Sequence, residues 1–268
     1  MSGIRVAVCG ALGRMGLEVV KTVLADPELE LVAAIEHHRI GETLHEASAG
    51  VACCELVLEE DLGKALVDSQ AQVCVDFTHP STVFQNALTI IEAGCRPVIG
   101  TTGISSEQLE KIKAALEAKN IGGLVAPNFA IGAVLIMKFA QEAAKYFDHA
   151  EIIEFHHNQK ADAPSGTAIK TAEMMAETLG KFNPSNAPEK ELYEGARGAR
   201  KTPGDIPIHS VRLPGYVAHQ EILFGCQGQT ITLRHDSIDR ASFMPGVAMG
   251  CKKIMSETGL VYGLEHLI

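Results

Sequence analysis

The first half of the chain alternates short, uninterrupted apolar runs with amphipathic segments, and no other feature constrains its fold as strongly. The apolar runs cover residues 4–9, 31–35, 73–77, 97–100 and 122–126, and the amphipathic segments cover residues 16–25, 81–93 and 105–119. Strands that are apolar on both faces are typical of a parallel sheet with helices on both sides. The sequence therefore predicts an α/β protein whose first half forms such a sheet, with a further short strand at residues 54–58.

The second half has a different pattern. Helical periodicity covers residues 131–147 and 167–179, a strand is predicted at 151–156, and β-rich runs cover 208–213, 217–224 and 229–235. A Gly-Cys-Gln-Gly turn at residues 225–228 joins the last two runs, which favours an antiparallel meander. These features predict a first domain over residues 1–127, a mixed α/β domain over residues 128–239, and a C-terminal helix within residues 240–268.

Composition narrows the class of function. The 268 residues carry 33 acidic and 23 basic side chains, a net charge of −10, which excludes wholesale binding of nucleic acid. The seven cysteines form no CxxC pair and several lie in apolar runs, which predicts free, buried thiols in a reducing compartment. The chain starts without the pattern of a signal peptide, and its longest apolar stretch is too short to cross a membrane. We expect a cytoplasmic protein that does not bind membranes.

A glycine-rich turn follows the first predicted strand and opens the first helix. Gly10, Gly13 and Gly16 permit a tight turn, close approach of a pyrophosphate and close packing of the helix, whose N-terminus attracts phosphates. Glu36 lies twenty residues after Gly16, at the end of the second strand, where a carboxylate accepts hydrogen bonds from a ribose. Together these residues predict a Rossmann-type dinucleotide site. The alternative is a glycine-rich turn that binds nothing.

Further loops are predicted at the same edge of the sheet. Residues 76–78, the Gly-Thr-Thr-Gly loop at residues 100–103 and the Ala-Pro-Asn-Phe segment at residues 126–129 each follow a strand. Ligands of a doubly wound sheet bind outside the carboxyl ends of its strands, so these loops are expected to line one site. A simple turn rich in Gly and Thr is the alternative for residues 100–103.

The most specific pattern lies at the end of the predicted strand 151–156. His156, His157 and Lys160 offer a proton donor near neutral pH and a fixed positive charge. Residues 165–167 then open a helix whose backbone N–H groups suit a carboxylate. Adjacent histidines point to opposite faces of a strand and no other ligand cluster is near in sequence, so no metal site is predicted. A structural histidine is the alternative, but the coincidence of these groups favours catalysis.

Four segments taken together resemble the 4-hydroxy-tetrahydrodipicolinate reductase family, also called dihydrodipicolinate reductases, of the diaminopimelate route to lysine. They are GALGRMG, GTTG, APNF and EFHHNQKADAPSGTA, and the resemblance runs from about Val6 to Gly246. It implies a Rossmann nucleotide domain that binds NADH or NADPH, and a second domain that binds a small dicarboxylate substrate and forms homotetramer contacts. It also implies that the C-terminal helix returns to the nucleotide domain.

The resemblance also implies roles for individual residues. His156 matches the proton donor, and Lys160 matches its partner in acid catalysis. The substrate carboxylates are expected at His157, Gly166 and Thr167, and the adenosine ribose at Glu36. The remaining cofactor contacts are expected at Gly10, Ala11, Leu12, Gly13, Arg14 and Met15 for the pyrophosphate, and at Gly100, Thr101, Thr102, Gly103, Ala126, Pro127, Asn128 and Phe129 beside the nicotinamide.

Two segments depart from the family pattern. Some relatives carry an arginine directly after the ribose-binding acid, where it contacts the 2′-phosphate of NADPH, whereas this chain has His37 and His38 followed by Arg39. Glu36 repels a 2′-phosphate, and the three cationic candidates offset this repulsion. We therefore expect use of both cofactors with a preference for NADH. A GEH-like segment of many relatives is replaced by residues 216–220.

Two other functions compete with this interpretation. An amino-acid dehydrogenase of the homoserine or aspartate type would share the nucleotide domain but would not require residues 156–167 in this form. A protein that senses NADH without turnover would keep the glycine turn. It would lack the proton donor and the anion site, and it would be expected to show a basic DNA-binding segment, which this sequence does not have.

Overall fold

The computed structural model describes residues 3–48, 50–51, 54–184 and 190–268. Two compact units make up the chain: Met1–Phe129 together with Phe243–Ile268, and Ala130–Ser242. Each unit contains its own sheet with helices packed against it, so the predicted α/β class with two different sheets is confirmed.

The strands and helices follow one another along the chain. The strands are β1 Ile4–Cys9, β2 Leu29–Ile35, β3 Leu58–Glu59, β4 Val73–Asp76, β5 Arg96–Ile99, β6 Gly122–Val125, β7 His149–His156, β8 Ile208–Arg212, β9 Ala218–Cys226, β10 Gln229–Ser237 and β11 Gly259–Tyr262. The helices are α1 Gly16–Ala25, α2 Leu44–Ala47, α3 Leu62–Asp68, α4 Val83–Glu92, α5 Ser106–Lys119, α6 Ile131–Ala143, α7 Gly166–Leu179 and α8 Met244–Lys253.

The sheet of the first unit is parallel throughout. Within the described residues it has seven strands in the order β11-β6-β5-β4-β1-β2-β3. All four residues of β4 and of β6 are buried, as expected for strands covered on both faces. Strands β1, β2 and β3 follow one another towards one edge of the sheet. The chain then returns to β4 on the other side of β1, and β5 and β6 follow towards the opposite edge. The boundary between β1 and β4 is therefore the switch point at which such sheets bind ligands.

The second unit has a mixed sheet in the order β10-β9-β7-β8. The predicted hairpin exists, since β9 and β10 pair antiparallel around Gln227 and Gly228. The predicted antiparallel meander holds for β9 and β10 but not for β8, because β8 pairs with β7 in parallel and β7 lies between β8 and β9. One face of β7 carries Ala150 and Ile152 into a core with α6 and α7, and this burial fixes β7 in the centre.

The C-terminal segment is not one helix. Helix α8 ends at Lys253, short 3₁₀ turns flank it at Arg240–Phe243 and Ile254–Ser256, and the chain then forms β11. Gly259 and Gly263 have positive φ angles of 75° and 97°, which break the helical path on both sides of an apolar run. Strand β11 pairs in parallel with β6 and extends the first sheet. Sequence periodicity did not predict this strand.

The cysteines follow the prediction in part. Cys9, Cys74, Cys95 and Cys251 are buried free thiols, and burial raises the pKa of Cys95 and of Cys251 to about 12. Cys226 is exposed, because it ends β9 next to the hairpin turn, and so its predicted burial is wrong. Cys54 is half-buried, and Cys53 lies outside the described residues. Among the described helices, none has the length and apolarity needed to cross a membrane.

Candidate active site: two clusters of strand-end residues

The glycine turn after β1 brings backbone donors to the switch point of the first sheet. Gly10 has a φ angle of 78°, and its N–H donates to the carbonyl of Ile35 at the end of β2. A Cβ atom on Gly16 would overlap the carbonyl oxygen of Gly10, so helix α1 can begin here only with glycine at this position. Within the described residues no side chain caps the N-terminus of α1, which starts immediately after Met15.

Glu36 contacts the same turn. Its residue is only 8% exposed, and one carboxylate oxygen accepts the N–H of Leu12 at 2.7 Å while the other accepts the N–H of His37 at 3.1 Å. The carboxylate therefore holds the glycine turn against the end of β2. Each oxygen keeps further lone-pair capacity for a hydroxyl donor.

The Gly-Thr-Thr-Gly loop after β5 is joined to the loop after β4 by Asp76. This carboxylate is fully buried and accepts three hydroxyl and amide donors at 2.8 Å, from Thr78, Thr101 and Asn86. The backbone N–H of Thr78 adds a bond of 3.0 Å to Asp76 and one of 2.8 Å to the Thr101 hydroxyl. Two loops that are 23 residues apart in sequence are thus joined through one buried side chain.

Aromatic packing closes this edge of the sheet. The rings of Phe77 and Phe129 lie 5.8 Å apart, and Phe129 is buried. A Cβ atom on Gly100 would overlap the Phe77 ring, so this glycine provides space for the ring. Thr102, Gly103 and Pro127 are exposed, while Arg14 is exposed on the glycine turn. The structure therefore brings the residues predicted to bind the cofactor to one edge of the first sheet, on the turns that follow β1, β2, β5 and β6.

A second cluster lies at the end of β7 in the other unit. Glu154 and His156 are two residues apart in a strand and therefore share a face. The Nδ1 atom of His156 lies 2.5 Å from Oε2 of Glu154, and the side chains are 14% and 0% exposed. Arg212 of β8 donates to both oxygens of Glu154, at 2.7 and 2.8 Å. Since His156 and Arg212 are partners in the β7–β8 register, the histidine, the carboxylate and the guanidinium form one compact group.

Glu154 is ionised in this environment. Burial raises its pKa, but hydrogen bonds from His156, Arg212 and Ser210 outweigh burial, and the pKa is about 2. A buried carboxylate that accepts several charge-assisted hydrogen bonds has this property because the bonds stabilise only its charged form.

The loop that follows β7 holds the predicted lysine. Nζ of Lys160 donates to both oxygens of Asp162, at 2.7 and 2.9 Å, and this hydrogen bond lowers the pKa of the Asp162 carboxyl. Arg212 donates to the backbone carbonyl of Asp162 at 2.8 Å, which ties the loop to β8. His156 and Lys160 thus contact different carboxylates. His157 lies just past the strand and is exposed.

Helix α7 begins next to this group. Ser165 caps the helix by accepting the N–H of Ala168 at 3.2 Å, and its own N–H points to Oε1 of Glu154 at 3.3 Å. The first residue of the helix, Gly166, is exposed, and a Cβ atom built on it meets nothing within 4 Å. The start of a helix with space in front of it suits a carboxylate.

The segment at residues 216–220 forms contacts on both faces of the sheet. His219 lies on the face opposite to His156, where Nδ1 is 2.6 Å from Asp236 and the ring packs edge-on against Tyr216 at 5.0 Å. Gln220 lies on the face of Glu154, its register partner, and its amide donates to Thr171 at 2.8 Å. Ala218 and Gln220, the register partners of His156 and Glu154, are thus the members of this segment that share a face with the His156 cluster.

Sequence reasoning missed Glu154 and Arg212 as site residues. A signal for Glu154 was present, because alternation places it in phase with Ala150 and Ile152, and an acid in the buried phase of a strand requires partners. Arg212 had no comparable signal, since its contact with Glu154 joins residues 58 apart in sequence. Within the described residues no group of three or more His, Cys, Asp or Glu side chains is arranged for a metal ion.

A doubly wound parallel sheet with a glycine turn at its switch point, together with a His–Glu–Arg cluster in a separate α/β unit, defines the class of nucleotide-dependent α/β oxidoreductases. The particular family follows from comparison with known proteins. Residues 4–129 match the model "Dihydrodipicolinate reductase, N-terminus", and residues 132–268 match "Dihydrodipicolinate reductase, C-terminus". The chain therefore belongs to the dihydrodipicolinate reductase family.

Individual relatives agree along the full length. The chain is 51% identical to the 4-hydroxy-tetrahydrodipicolinate reductase of Synechocystis sp. over 99% of this chain and 98% of the relative. It is also 51% identical to the reductase of that name from Listeria monocytogenes, over 98% and 99% of the two chains. The structure of dipicolinate-bound dihydrodipicolinate reductase from Paenisporosarcina sp. TG-14 superposes with a TM-score of 0.87 at 49% identity, covering 99% of this chain and all of that one. The predicted family and the predicted class of NAD(P)H-dependent reductase are confirmed.

The ionised Glu154 generates a prediction about stability. Its folded-state pKa of about 2 lies below the ordinary value of 4.5, so it stabilises the folded protein above pH 4.5 and loses this contribution as the pH falls towards 2. We expect the free energy of unfolding to fall more steeply between pH 5 and pH 3 in the native protein than in Glu154→Gln. Urea unfolding followed by circular dichroism at several pH values measures both slopes. Equal slopes would contradict the assignment.

Proposed function

We propose that the protein reduces 4-hydroxy-tetrahydrodipicolinate to tetrahydrodipicolinate with NADH or NADPH, as a step of lysine biosynthesis by the diaminopimelate route. The observation that carries the proposal is the His156–Glu154 pair beside the start of α7, because it combines a proton donor with a site for carboxylates. Full-length similarity to reductases of that name supports the choice of substrate.

The turns of the first sheet fit a dinucleotide. The positive φ of Gly10, the contact that requires glycine at residue 16, and the start of α1 form a cradle suited to a pyrophosphate. Glu36 would accept hydrogen bonds from the adenosine ribose. Residues 10–15 would hold the pyrophosphate, and residues 100–103 and 126–129 would lie beside the nicotinamide. When bound, the cofactor supplies a hydride to the ring carbon that bore the hydroxyl group, which is conjugated to the C=N bond once the hydroxyl has left with a ring hydrogen as water.

The second unit would bind the dicarboxylate. Gly166 and Thr167 start helix α7, where backbone N–H dipoles favour one carboxylate, and His157 would contribute a further donor. Lys160 would exchange part of its contact with the exposed Asp162 for a substrate carboxylate. The structure of the Paenisporosarcina relative was determined with dipicolinate, a ring dicarboxylate, and this supports the assignment.

His156 would deliver the proton. Its Nδ1 faces Glu154, so Nε2 is the ring atom left to donate to the enamine-like carbon or nitrogen produced by hydride addition. Lys160 adds positive charge near the carboxylates and assists the acid. The chain's contribution is thus placement and charge, and the hydride comes from the cofactor.

Two further properties belong to the proposal. The protein would be cytoplasmic, and the six described cysteines, all free, suit a reducing compartment. It would form a homotetramer through the second unit, in which the side of the sheet away from the core has half-buried Ile153 and Phe155.

The buried Glu154–His156–Arg212 cluster favours the reductase over the competing functions. A homoserine or aspartate dehydrogenase, or a protein that senses NADH, would not require this cluster.

One assay tests the activity and the choice of cofactor together. The condensation product of pyruvate and aspartate semialdehyde, supplied in a coupled assay, should cause loss of absorbance with both NADH and NADPH. Because Glu36 repels a 2′-phosphate, kcat/KM should be higher with NADH. No turnover with either cofactor contradicts the function, and a preference for NADPH above about tenfold, about 1.4 kcal/mol, contradicts the cofactor assignment.

The glycine turn gives a prediction with matched variants. A Cβ atom on Gly13 would lie 3.1 Å from the Gly10 carbonyl oxygen, a contact that small shifts relieve, so Gly13→Ala should fold normally but bind both cofactors at least about tenfold more weakly. Gly16→Ala should instead destabilise the protein by roughly 1–3 kcal/mol, because backbone blocks the methyl group. Gly63→Ala adds a methyl group in ordinary contact in α3 and serves as the control. Unchanged NADH affinity of Gly13→Ala in calorimetry would contradict the phosphate site.

The chemical step gives a further prediction. A positioned general acid contributes about 10²–10⁴ in rate, so His156→Gln should lower kcat by about that factor with a modest change in KM. Lys160→Ala should lower kcat and also raise KM, because its ammonium faces a substrate carboxylate. The melting temperature is measured beside turnover. If His156→Gln is less stable but turns over normally per folded molecule, His156 is structural and the catalytic assignment is wrong.

A further inference from the structure

Glu154 is a buried charge that the proposed reaction does not require as a reactant. Glu154 has no exposed surface, and it lies on the same face of β7 as the core residues Ala150 and Ile152. An unpaired carboxylate at such a position costs several kcal/mol, so its partners define what it does. Those partners come from three separate segments of the chain.

One oxygen faces the proposed acid and the other faces the proposed carboxylate site. Oε2 lies 2.5 Å from His156 Nδ1 and 2.8 Å from Arg212, while Oε1 accepts from Arg212 at 2.7 Å and from the backbone N–H of Ser165 at 3.3 Å. The side chain of Ser210 adds a fifth donor. A single side chain thus contacts the histidine ring and the residue that caps α7.

Arg212 extends the contacts of Glu154 to the lysine. Besides its two bonds to Glu154, the guanidinium donates to the carbonyl of Asp162, whose side chain binds Lys160. The position of the Lys160 ammonium therefore depends on the Glu154 carboxylate through Arg212 and Asp162.

We propose that Glu154 is a positioning residue for the reaction, which holds His156 with its proton on Nδ1 and Nε2 directed away, and which aligns the histidine with the start of α7. The proposal rests on the proposed function. It assigns catalytic importance to a residue that contacts neither the substrate nor the cofactor. A carboxylate in this place also stabilises the imidazolium that must form before the proton is delivered.

The test compares Glu154→Gln with a matched control in the same strand. Glu151 also contacts a histidine and an arginine, since His209 Nε2 lies 2.7 Å from it and Arg197 pairs with it, but on the opposite face of β7. Glu151→Gln removes a similar group of contacts without touching His156. Its kcat and pH profile should match those of the native enzyme, and light scattering checks that its assembly is unchanged.

Glu154→Gln should lower kcat by about 10–100-fold. The amide oxygen can still accept from His156, but the NH2 group that replaces the other oxygen cannot accept from Arg212 or Ser165. Loss of the negative charge makes the histidine easier to deprotonate, so the alkaline limb of the kcat–pH profile should move to lower pH. The double variant with His156→Gln should be no slower than His156→Gln alone, because Glu154 acts through the histidine. An unmoved limb, or effects that multiply in the double variant, overturns the proposal.

Two arms keep the outcomes distinct. If His156→Gln turns over normally, the catalytic role of His156 is wrong, and the positioning role of Glu154 that rests on it is wrong as well. If His156→Gln is slow but Glu154→Gln keeps the native rate and profile, only the positioning role fails. Should Glu154→Gln not fold, the native enzyme decides, since long-range ¹H–¹⁵N NMR should show the neutral His156 ring protonated at Nδ1, with the signal identified by its absence in His156→Gln. A proton on Nε2 overturns the proposal.

Discussion

Helix α1 can start against the turn after β1 only because Gly16 has no side chain. The arrangement of the turns at the switch point of the first sheet depends on this close contact between two backbone segments. A methyl group there would overlap the Gly10 carbonyl oxygen, whose residue already requires positive φ. With the contact in place, the turn is short enough for Leu12 to reach Glu36 at the end of β2. The end of β1, the start of α1 and Glu36 are thereby brought together at the switch point of the sheet.

Buried carboxylates perform a related task in both units. Asp76 joins the loops after β4 and β5, and Glu154 joins β7, β8 and the start of α7, and both are fully buried. A buried charge is tolerated only when donors surround it, so the loops that provide those donors are held in one arrangement. The hydrogen bonds that offset the cost of burying each carboxylate therefore also restrict the motion of the loops where ligands would bind. Rigid support of this kind is what positions reacting groups within a fraction of an ångström.

The elements that were predicted correctly have strong local signals. Strand β1 and helix α1 have the predicted limits, and a capping box formed by Ser105 and Gln108 marks the start of α5 within the amphipathic segment predicted at residues 105–119. The predictions failed where pairing partners are distant. Strand β8 pairs in parallel with β7 and not in a meander, and β11 joins β6, more than a hundred residues earlier. Periodicity identified β8 but carries no information about its neighbour, and it did not identify β11 at all.

The amino-acid sequence by itself determined the class of the fold, the glycine turn with Glu36, and the pattern of His156, Lys160 and the start of α7. Each of these depends on residue types at a regular or characteristic spacing along the chain, which can be read without knowing the contacts between distant segments. Only the tertiary structure decided that Glu154 and Arg212 enclose His156, that Asp76 joins two loops, and that Lys160 pairs with Asp162 beside a guanidinium from β8. These contacts are made by short-range hydrogen bonds between side chains that folding brings together, and their energy depends on burial that no linear pattern specifies.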